Sequence, residues 1–502
     1  MDVLNHLFLG FSNAISPANI LWCLIGVSLG TLVGVLPGLG PVATMAILIP
    51  LTVKLNHISA LIMLAGIYYG SMYGSSTSAI LVNIPGEPAS VITSLDGYQM
   101  AKKGLAGPAL GMSAIASFVA GTLSIVGLMF FAPLMSSLAL GFGPAEMFAL
   151  TFFALTILFS FTGKSLSKGL LSGCLGLLLA TIGIDVQTGA LRFTHNSPHL
   201  VAGISLVAVV VGLFAVPEIL INAEKISLYA YQTHIGRVLP TKQDIIKCLP
   251  TMFRATVIGF MVGIIPGGTP AVAGFVSYDI ERKIAKKPQT FGQGAIEGVA
   301  AAEGANNSAT SGGLVPLLTL GIPPSAPIAV LLGAFLVHNI TPGPLLFQEH
   351  PEVVWTLIAS MYIGNVMLLV LNLPLVGMWA RICRVPYPII APLIMVISFL
   401  GVYGDRNSLF DVWVMLIVGV MGYIMRKLEY PLVPLVLAFI VSPIMENALI
   451  QSLTLSSGSI MIFFSRPISL TLILLAMVSL AGALLSRKRQ AKVVEVLGLE
   501  GD

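Results

Sequence analysis

Apolar residues run nearly unbroken over 110–140, 145–160, 169–184, 199–223, 355–380, 386–402, 409–424 and 464–486. None of these runs keeps the period of two that a half-buried strand needs, and their lengths lie at or near the ~20 residues that carry a helix across a bilayer. In lipid only helices and closed barrels satisfy every backbone polar group, and the lack of strict alternation selects helices. The pattern predicts an all-α polytopic membrane protein of roughly ten to fourteen membrane segments, some of which do not cross fully.

Two regions break the apolar pattern in the same way. Gly30-x-x-x-Gly34-x-x-Pro37-Gly38-x-x-Pro41 returns as Gly259-x-x-x-Gly263-x-x-Pro266-Gly267-x-x-Pro270, at a constant offset of 229 residues. Each is followed by a polar, small-residue run ending at Ile-Pro: residues 70–88 lie 238 residues before 308–326, which places Gly74 on Gly312 and Ile84-Pro85 on Ile322-Pro323. A third echo sets Gly107-Pro108 against Gly343-Pro344, 236 residues apart. Three echoes in one order predict two structural repeats. The halves are 1–222 and 251–486, joined by an interfacial linker over 223–250 and followed by a cytoplasmic tail over 487–502. Basic residues cluster in the 282–287 loop and the 487–492 tail, whereas the first copy has only Lys54 at the matching position. That asymmetry favours inverted repeats.

Composition narrows the picture. The 502 residues are 56% hydrophobic and only 9% charged, with a mean hydropathy of +0.96. Such a chain is not a soluble domain, and the phospholipid bilayer is its surroundings. The formal charge of +4 is scattered among loops without aromatic interleaving, so no nucleic acid partner is indicated. The linker carries Lys242, Asp244, Lys247 and Arg254 among apolar residues, the pattern of a short helix on the lipid headgroups. Trp22 and Trp379 suit interfacial anchoring. The four cysteines are far apart and indicate neither a metal cluster nor a disulfide framework.

The candidate chemistry lies at the breaks. Pro37-Gly38, with Gly40, and Pro266-Gly267-Gly268-Thr269 interrupt apolar segments, leaving backbone groups that protein, water or solute must satisfy. Gly74, Ser75, Ser76 and Thr77 in the first half, and Glu303, Asn306, Asn307, Ser308 and Thr310 in the second, read as polar tips of discontinuous helices or hairpins. Basic residues border the apolar segments rather than occupying their centres, so an anionic substrate would be held by hydroxyls, amides and helix N-termini. Asn306, Asn307, Thr310 and Glu303 supply hard oxygens suited to a coupling ion, Na⁺ or H⁺, and no other metal or cofactor is expected. Glu87 and Asp96 read as residues of solvent-exposed turns.

Enzyme chemistry finds no support in the motifs. Thr162-Gly163-Lys164-Ser165 resembles the end of a phosphate-binding loop, but Leu158 replaces its leading glycine. A channel would repeat polar residues along several helices. The competing reading is a membrane scaffold or assembly subunit whose polar tips bind protein.

The stretches 34–52, 68–104, 259–275 and 301–344 strongly resemble the large membrane subunit, TctA, of bacterial tripartite tricarboxylate transporters, and the likeness spans essentially the whole chain. It implies a secondary active carrier in the bacterial inner membrane that takes up a tricarboxylate, dicarboxylate or aromatic acid. It also implies a driving ion gradient and two partners, a periplasmic solute-binding protein and a small membrane subunit. Carried over residue by residue, the family's characteristic positions here are Pro37, Gly38, Gly40, Pro41, Gly74, Ser75, Ser76, Thr77, Asn83, Pro85 and Gly86 in the first half. In the second they are Pro266, Gly267, Gly268, Thr269, Glu303, Asn306, Asn307, Ser308, Gly321, Ile322 and Pro323. Thr269 stands where the first copy has Gly40, so the two copies need not meet a substrate equivalently.

Overall fold

The computed structural model describes residues 2–36, 40–161, 165–185, 189–224, 235–382 and 387–496. The first stretch is α1 (Asp2–Ala14), α2 (Pro17–Val35), α3 (Pro41–Thr52), α4 (His57–Val82), α5 (Val91–Lys102) and the long α6 (Ala106–Ala139). There follow α7 (Pro144–Phe161), α8 (Leu166–Ala180), the two-residue antiparallel strands β1 (Gly183–Ile184) and β2 (Leu191–Arg192), and the single-turn α9 (Pro198–Val201). The chain goes on with α10 (Leu206–Glu224), α11 (Lys242–Ile264), α12 (Pro270–Ile284), α13 (Ile296–Leu320) and α14 (Ala326–Val337). It continues with α15 (Leu346–Glu349), α16 (Pro351–Asn372), α17 (Val376–Ile382), α18 (Tyr387–Arg406) and α19 (Leu409–Lys427), and ends with α20 (Leu432–Leu455), α21 (Ile462–Ser465) and α22 (Pro467–Val496). Among the described residues seven helices are long and apolar enough to cross a membrane, and five shorter apolar helices accompany them. The chain is an all-α, multi-pass membrane protein.

Two compact units result. One joins residues 1–140 to 207–423, and the other joins 141–206 to 424–502. This division cuts across the sequence halves, because each half contributes residues to both units. In the second unit α7, α8, α20 and α22 pack together, and Arg466 pairs with the buried Glu146 at 3.2 Å.

The first unit is organised around two intimate helix pairs, α2 with α4 and α11 with α13. Glycine makes this closeness available, since a Cβ on Gly30 would come within 2.5 Å of the Ile67 carbonyl oxygen, and one on Gly34 within 2.3 Å of that of Ser71. In the second pair Gly259 sits 2.3 Å from the Ala305 oxygen and Gly263 2.4 Å from that of Ala309, by the same measure. Gly74 meets the Thr31 oxygen and its counterpart Gly312 that of Phe260. The two helix pairs therefore interlock in one register, at the 229 and 238 offsets of the sequence.

The ends of these helices also match. Both α3 and α12 start with proline at the first helical position, where a missing N–H costs nothing. Both α4 and α13 stop at a left-handed residue, Asn83 (φ 57°) and Gly321 (φ 69°), before Ile-Pro. Between α11 and α12 the chain makes a tight turn in which the Gly268 N–H donates to the Ile265 carbonyl at 2.8 Å, with Pro266 and Gly267 (φ 81°) as its central pair. This is the residue pattern of a type II turn.

Three expectations are corrected here. The polar runs 70–78 and 303–313 are not hairpin tips but lie inside α4 and α13, which continue without interruption. Neighbouring helices cover them completely, so their polarity needs no break in the backbone. The basic stretch of the linker is not a separate short helix, because a capping box of Thr241 and Asp244 opens the 23-residue α11. Two of its cations have protein partners: Lys247 pairs with Glu297 at 2.5 Å and Arg254 with Glu281 at 2.7 Å. Trp379 is buried rather than interfacial, its Nε1 donating to the Leu371 carbonyl at 3.0 Å.

Candidate functional site

The polar centre of the first unit forms where α13 crosses α6 and α5. Every residue of α13 from Gly298 to Thr319 is buried, and so is every residue of α4 from Ser59 to Leu81. Glu303, 0% exposed, accepts hydrogen bonds from Thr93 Oγ1 of α5 and, at 3.5 Å, from Ser117 Oγ of α6. Asn307 Nδ2 donates to Ser117 Oγ at 2.8 Å, to the Glu303 carbonyl at 3.1 Å and to Asn306 Oδ1 at 2.6 Å. Asn306 Nδ2 is buried without a formed hydrogen bond, although it lies beside the Glu303 carboxyl. No Lys, Arg or His among the described residues is paired with Glu303. A buried carboxylate with neutral partners alone is a costly arrangement that structural packing does not call for.

The first polar run joins this centre through α6. Ser113 Oγ donates to Ser76 Oγ at 2.8 Å and also faces the Glu303 carboxyl. Most hydroxyls of α4 are turned back onto their own helix: Ser71 donates to Tyr68 O, Ser75 to Met72 O, Ser76 to Tyr73 O and Ser78 to Ser75 O, at 2.7–3.1 Å. Tyr73 donates at 2.5 Å to Asn365 Oδ1 of α16, whose amide nitrogen reaches the Phe118 carbonyl and Thr122 Oγ1. A narrow crevice without room for a water-sized sphere lies here, lined by Tyr73, Ser76, Thr77, Ser113 and Asn372 with Leu110 and Ala114. The two polar runs, far apart in sequence, thus meet across Ser113 and Ser117.

Other predicted positions are placed elsewhere. Pro37 and Gly38 lie outside the described residues, as does the 162–164 stretch that echoes a phosphate loop. Gly40 caps α3, and Glu87 Oε1 would lie 2.7 Å from a Cβ there. The Gly267 amide donates to the Pro324 carbonyl at 3.0 Å and that of Gly268 to Ile265, so these two amides of the break are engaged within the chain. Thr269 caps α12 by accepting from the Val272 amide. Ser308 donates to the Thr256 carbonyl and Thr310 to that of Asn307, both at 2.6 Å. Pro323 leads into α14, where Ser325 Oγ and Tyr68 Oη are buried side by side and neither has a hydrogen bond of good geometry.

Asp96 is another correction. It is 0% exposed and belongs to α5 rather than to an exposed turn. Its carboxylate accepts from the Gly294 and Ala295 amides at 2.7 and 2.8 Å and from Tyr278 Oη at 2.8 Å. It therefore supports the start of α13 from a neighbouring helix, accepting from the N-cap residue's own amide as the N3 carboxylate of a capping box does. Removing it in Asp96→Ala strands two amides and a phenol, at about 1–3 kcal/mol for each unsatisfied buried group. The variant is expected to melt several degrees below wild type in detergent, and an unchanged melting curve would contradict this capping role.

The sequence reading missed Thr93, Ser113, Ser117, Asn365 and Asn372. Ser113 and Ser117 are spaced i, i+4 on an otherwise apolar helix, and two asparagines seven residues apart interrupt the apolar α16. Isolated polar residues in membrane helices are the signal that could have found them.

Comparison with known proteins places the chain in a family. The profile described as "Tripartite tricarboxylate transporter TctA family" matches residues 20–437, which takes in both polar helices and all the residues of the centre. The chain belongs to the TctA family. It is thereby a large subunit of the tripartite tricarboxylate transporter type. An Agrobacterium vitis protein described as "Uncharacterized 52.8 kDa protein in TAR-I ttuC' 3'region" is 42% identical over 495 residues, covering 98% of each chain. A second from the same organism, "Uncharacterized protein in TAR-II ttuC' 3'region", is 39% identical over 234 residues, covering 47% of this chain and 97% of its own length. No solved structure matches.

Proposed function

We propose that this TctA-family chain is the permease of a secondary active carboxylate uptake system in the bacterial inner membrane. The observation that carries the reading is the buried Glu303 centre, a carboxyl surrounded by hydroxyls and amides at the crossing of α5, α6 and α13. A packing core does not gather such groups, whereas a path for ions and polar solutes does. Membership of the family supports a tricarboxylate, dicarboxylate or aromatic acid as substrate, delivered by a periplasmic binding protein to this chain and a small membrane subunit.

On this reading Glu303 belongs to the ion-coupling machinery, with Na⁺ or H⁺ as the driving ion. The substrate carboxylate meets donors instead. Tyr68 Oη and Ser325 Oγ, just past Pro323 at the start of α14, are buried hydroxyls able to give such bonds, and a helix N-terminus favours negative charge. Glu87 lies within electrostatic reach of Tyr68, so it must be protonated or displaced while a carboxylate occupies these donors. The glycine-lined α2–α4 and α11–α13 pairs give each half a stiff body for alternating access.

The test is uptake of radiolabelled citrate, a dicarboxylate and an aromatic carboxylate into proteoliposomes holding the chain, its small partner and candidate binding proteins. Na⁺ and proton gradients are imposed separately. Saturable, binding-protein-dependent uptake that follows one gradient is expected. An assembled, ligand-loaded complex that moves none of the three would favour an assembly subunit.

A further inference from the structure

We infer that the crevice between α4, α6 and α16 is a binding site for a small monovalent cation such as Na⁺, with Asn372 Oδ1 as its principal ligand. Asn372 is the last residue of α16, 4% exposed, and lies outside the echoed Gly/Pro and polar stretches. Its Nδ2 donates to the Leu368 carbonyl at 3.0 Å and reaches Thr31 Oγ1 at 3.5 Å. The Leu368 carbonyl can only accept, and this fixes which way the amide points. The Oδ1 atom is then buried with no hydrogen-bond partner.

Of the four hydroxyls that line the crevice, three are already engaged as donors, and only that of Thr77 is not. Tyr73 Oη gives its proton to Asn365, Ser113 Oγ to Ser76, and Ser76 Oγ to the Tyr73 carbonyl. These three groups and Asn372 Oδ1 have only lone pairs left to offer, and the Thr77 hydroxyl can turn its oxygen the same way, a set of neutral oxygens that suits a hard cation. Size points the same way. The crevice has no room for a water-sized sphere, so what it can hold is a bare ion rather than a tricarboxylate.

A water molecule could also donate to these lone pairs. Size separates the two occupants, because the crevice admits no water-sized sphere whereas a bare Na⁺ is smaller. Ser113 lines the crevice and also faces the Glu303 carboxyl, so a cation there would favour the charged form of that group.

The inference rests on the uptake reading only in taking this cation as the coupled one, and its test contains no carboxylate. The full-length chain, purified in detergent, is titrated with NaCl against choline chloride at constant ionic strength. Melting temperature and the fluorescence of Trp379, which is hydrogen-bonded to the residue before Asn372, are followed. Wild type is expected to show a saturable Na⁺-specific rise in melting temperature. Asn372→Leu should weaken the half-saturation at least ten-fold, while Asn372→Asp, which keeps the oxygen, retains the response. If Asn372→Leu does not give folded protein, Thr77→Val decides in the same way. A wild type that answers Na⁺ and choline alike overturns the site. So does a folded Asn372→Leu with unaltered Na⁺ response, and loss of the response in Glu303→Gln alone would place the ion on Glu303. None of these failures touches the uptake result.

Discussion

Gly74→Val is expected to yield almost no monodisperse protein on fluorescence-detected size-exclusion chromatography. A Cβ at this position would stand 2.2 Å from the Thr31 carbonyl oxygen and 2.9 Å from its carbonyl carbon. Both obstacles are backbone, so no rotamer change relieves them. The α2–α4 pair must separate, and separation also undoes the Gly30 and Gly34 contacts along the same seam. Overpacking in a core commonly costs about 1–3 kcal/mol, and here two rigid helices share the strain, which puts the expected loss at or above that range. Gly377→Val is the matched control, because nothing lies within 4 Å of a Cβ there. A Gly74→Val protein that elutes and melts like wild type would refute the interlocked register.

The second large effect is expected at Glu303. Glu303→Gln keeps the volume and much of the hydrogen bonding of the carboxyl, since the hydroxyls of Thr93 and Ser117 can rotate to meet an amide. It removes the charge. Folded protein is expected at near wild-type yield, with gradient-driven carboxylate uptake reduced at least 100-fold. Glu303→Leu should lose uptake and stability together, because Thr93, Ser117 and Asn306 are then left facing an apolar side chain. The informative measurement is uptake per folded transporter in both variants. Substantial gradient-driven uptake by Glu303→Gln would remove Glu303 from the coupling machinery and leave it a structural role alone.

Much of the architecture was legible in the residue pattern because lipid imposes a simple rule. Long apolar runs become helices, and the Gly/Pro echoes fall at helix starts, stops and close contacts, as at Pro41, Pro270, Asn83 and Gly321. The polar runs were visible for the same reason, as departures from apolarity. Their conformation was misread. A stretch such as GSMYGSSTS suggests an unwound tip, yet serine can return its hydroxyl proton to a carbonyl three residues back and stay helical, as Ser71, Ser75, Ser76 and Ser78 do. The partners of the site were illegible on other grounds. Thr93, Ser117 and Asn372 reach the centre through tertiary packing of α5, α6 and α16, and no local periodicity announces which lone polar residue will face another helix. Asp96 was misplaced for a related reason: an acid caps the helix that is nearest in space, here one that starts about two hundred residues later.

The complete burial of α4 and α13 bears on how the chain is made. Neither is among the helices whose composition alone suits a membrane crossing, whereas α2, α6 and α11 are. A nascent α4 released sideways into lipid would expose its serines to hydrocarbon, and a nascent α13 its Glu303 and asparagines. Synthesis from the amino terminus supplies a remedy in time. By the point at which α4 leaves the ribosome, α2 is already in place to receive it, and α6 and α11 both precede α13. The order of helices along the gene is thus also the order in which each polar helix finds a protein solvent waiting for it.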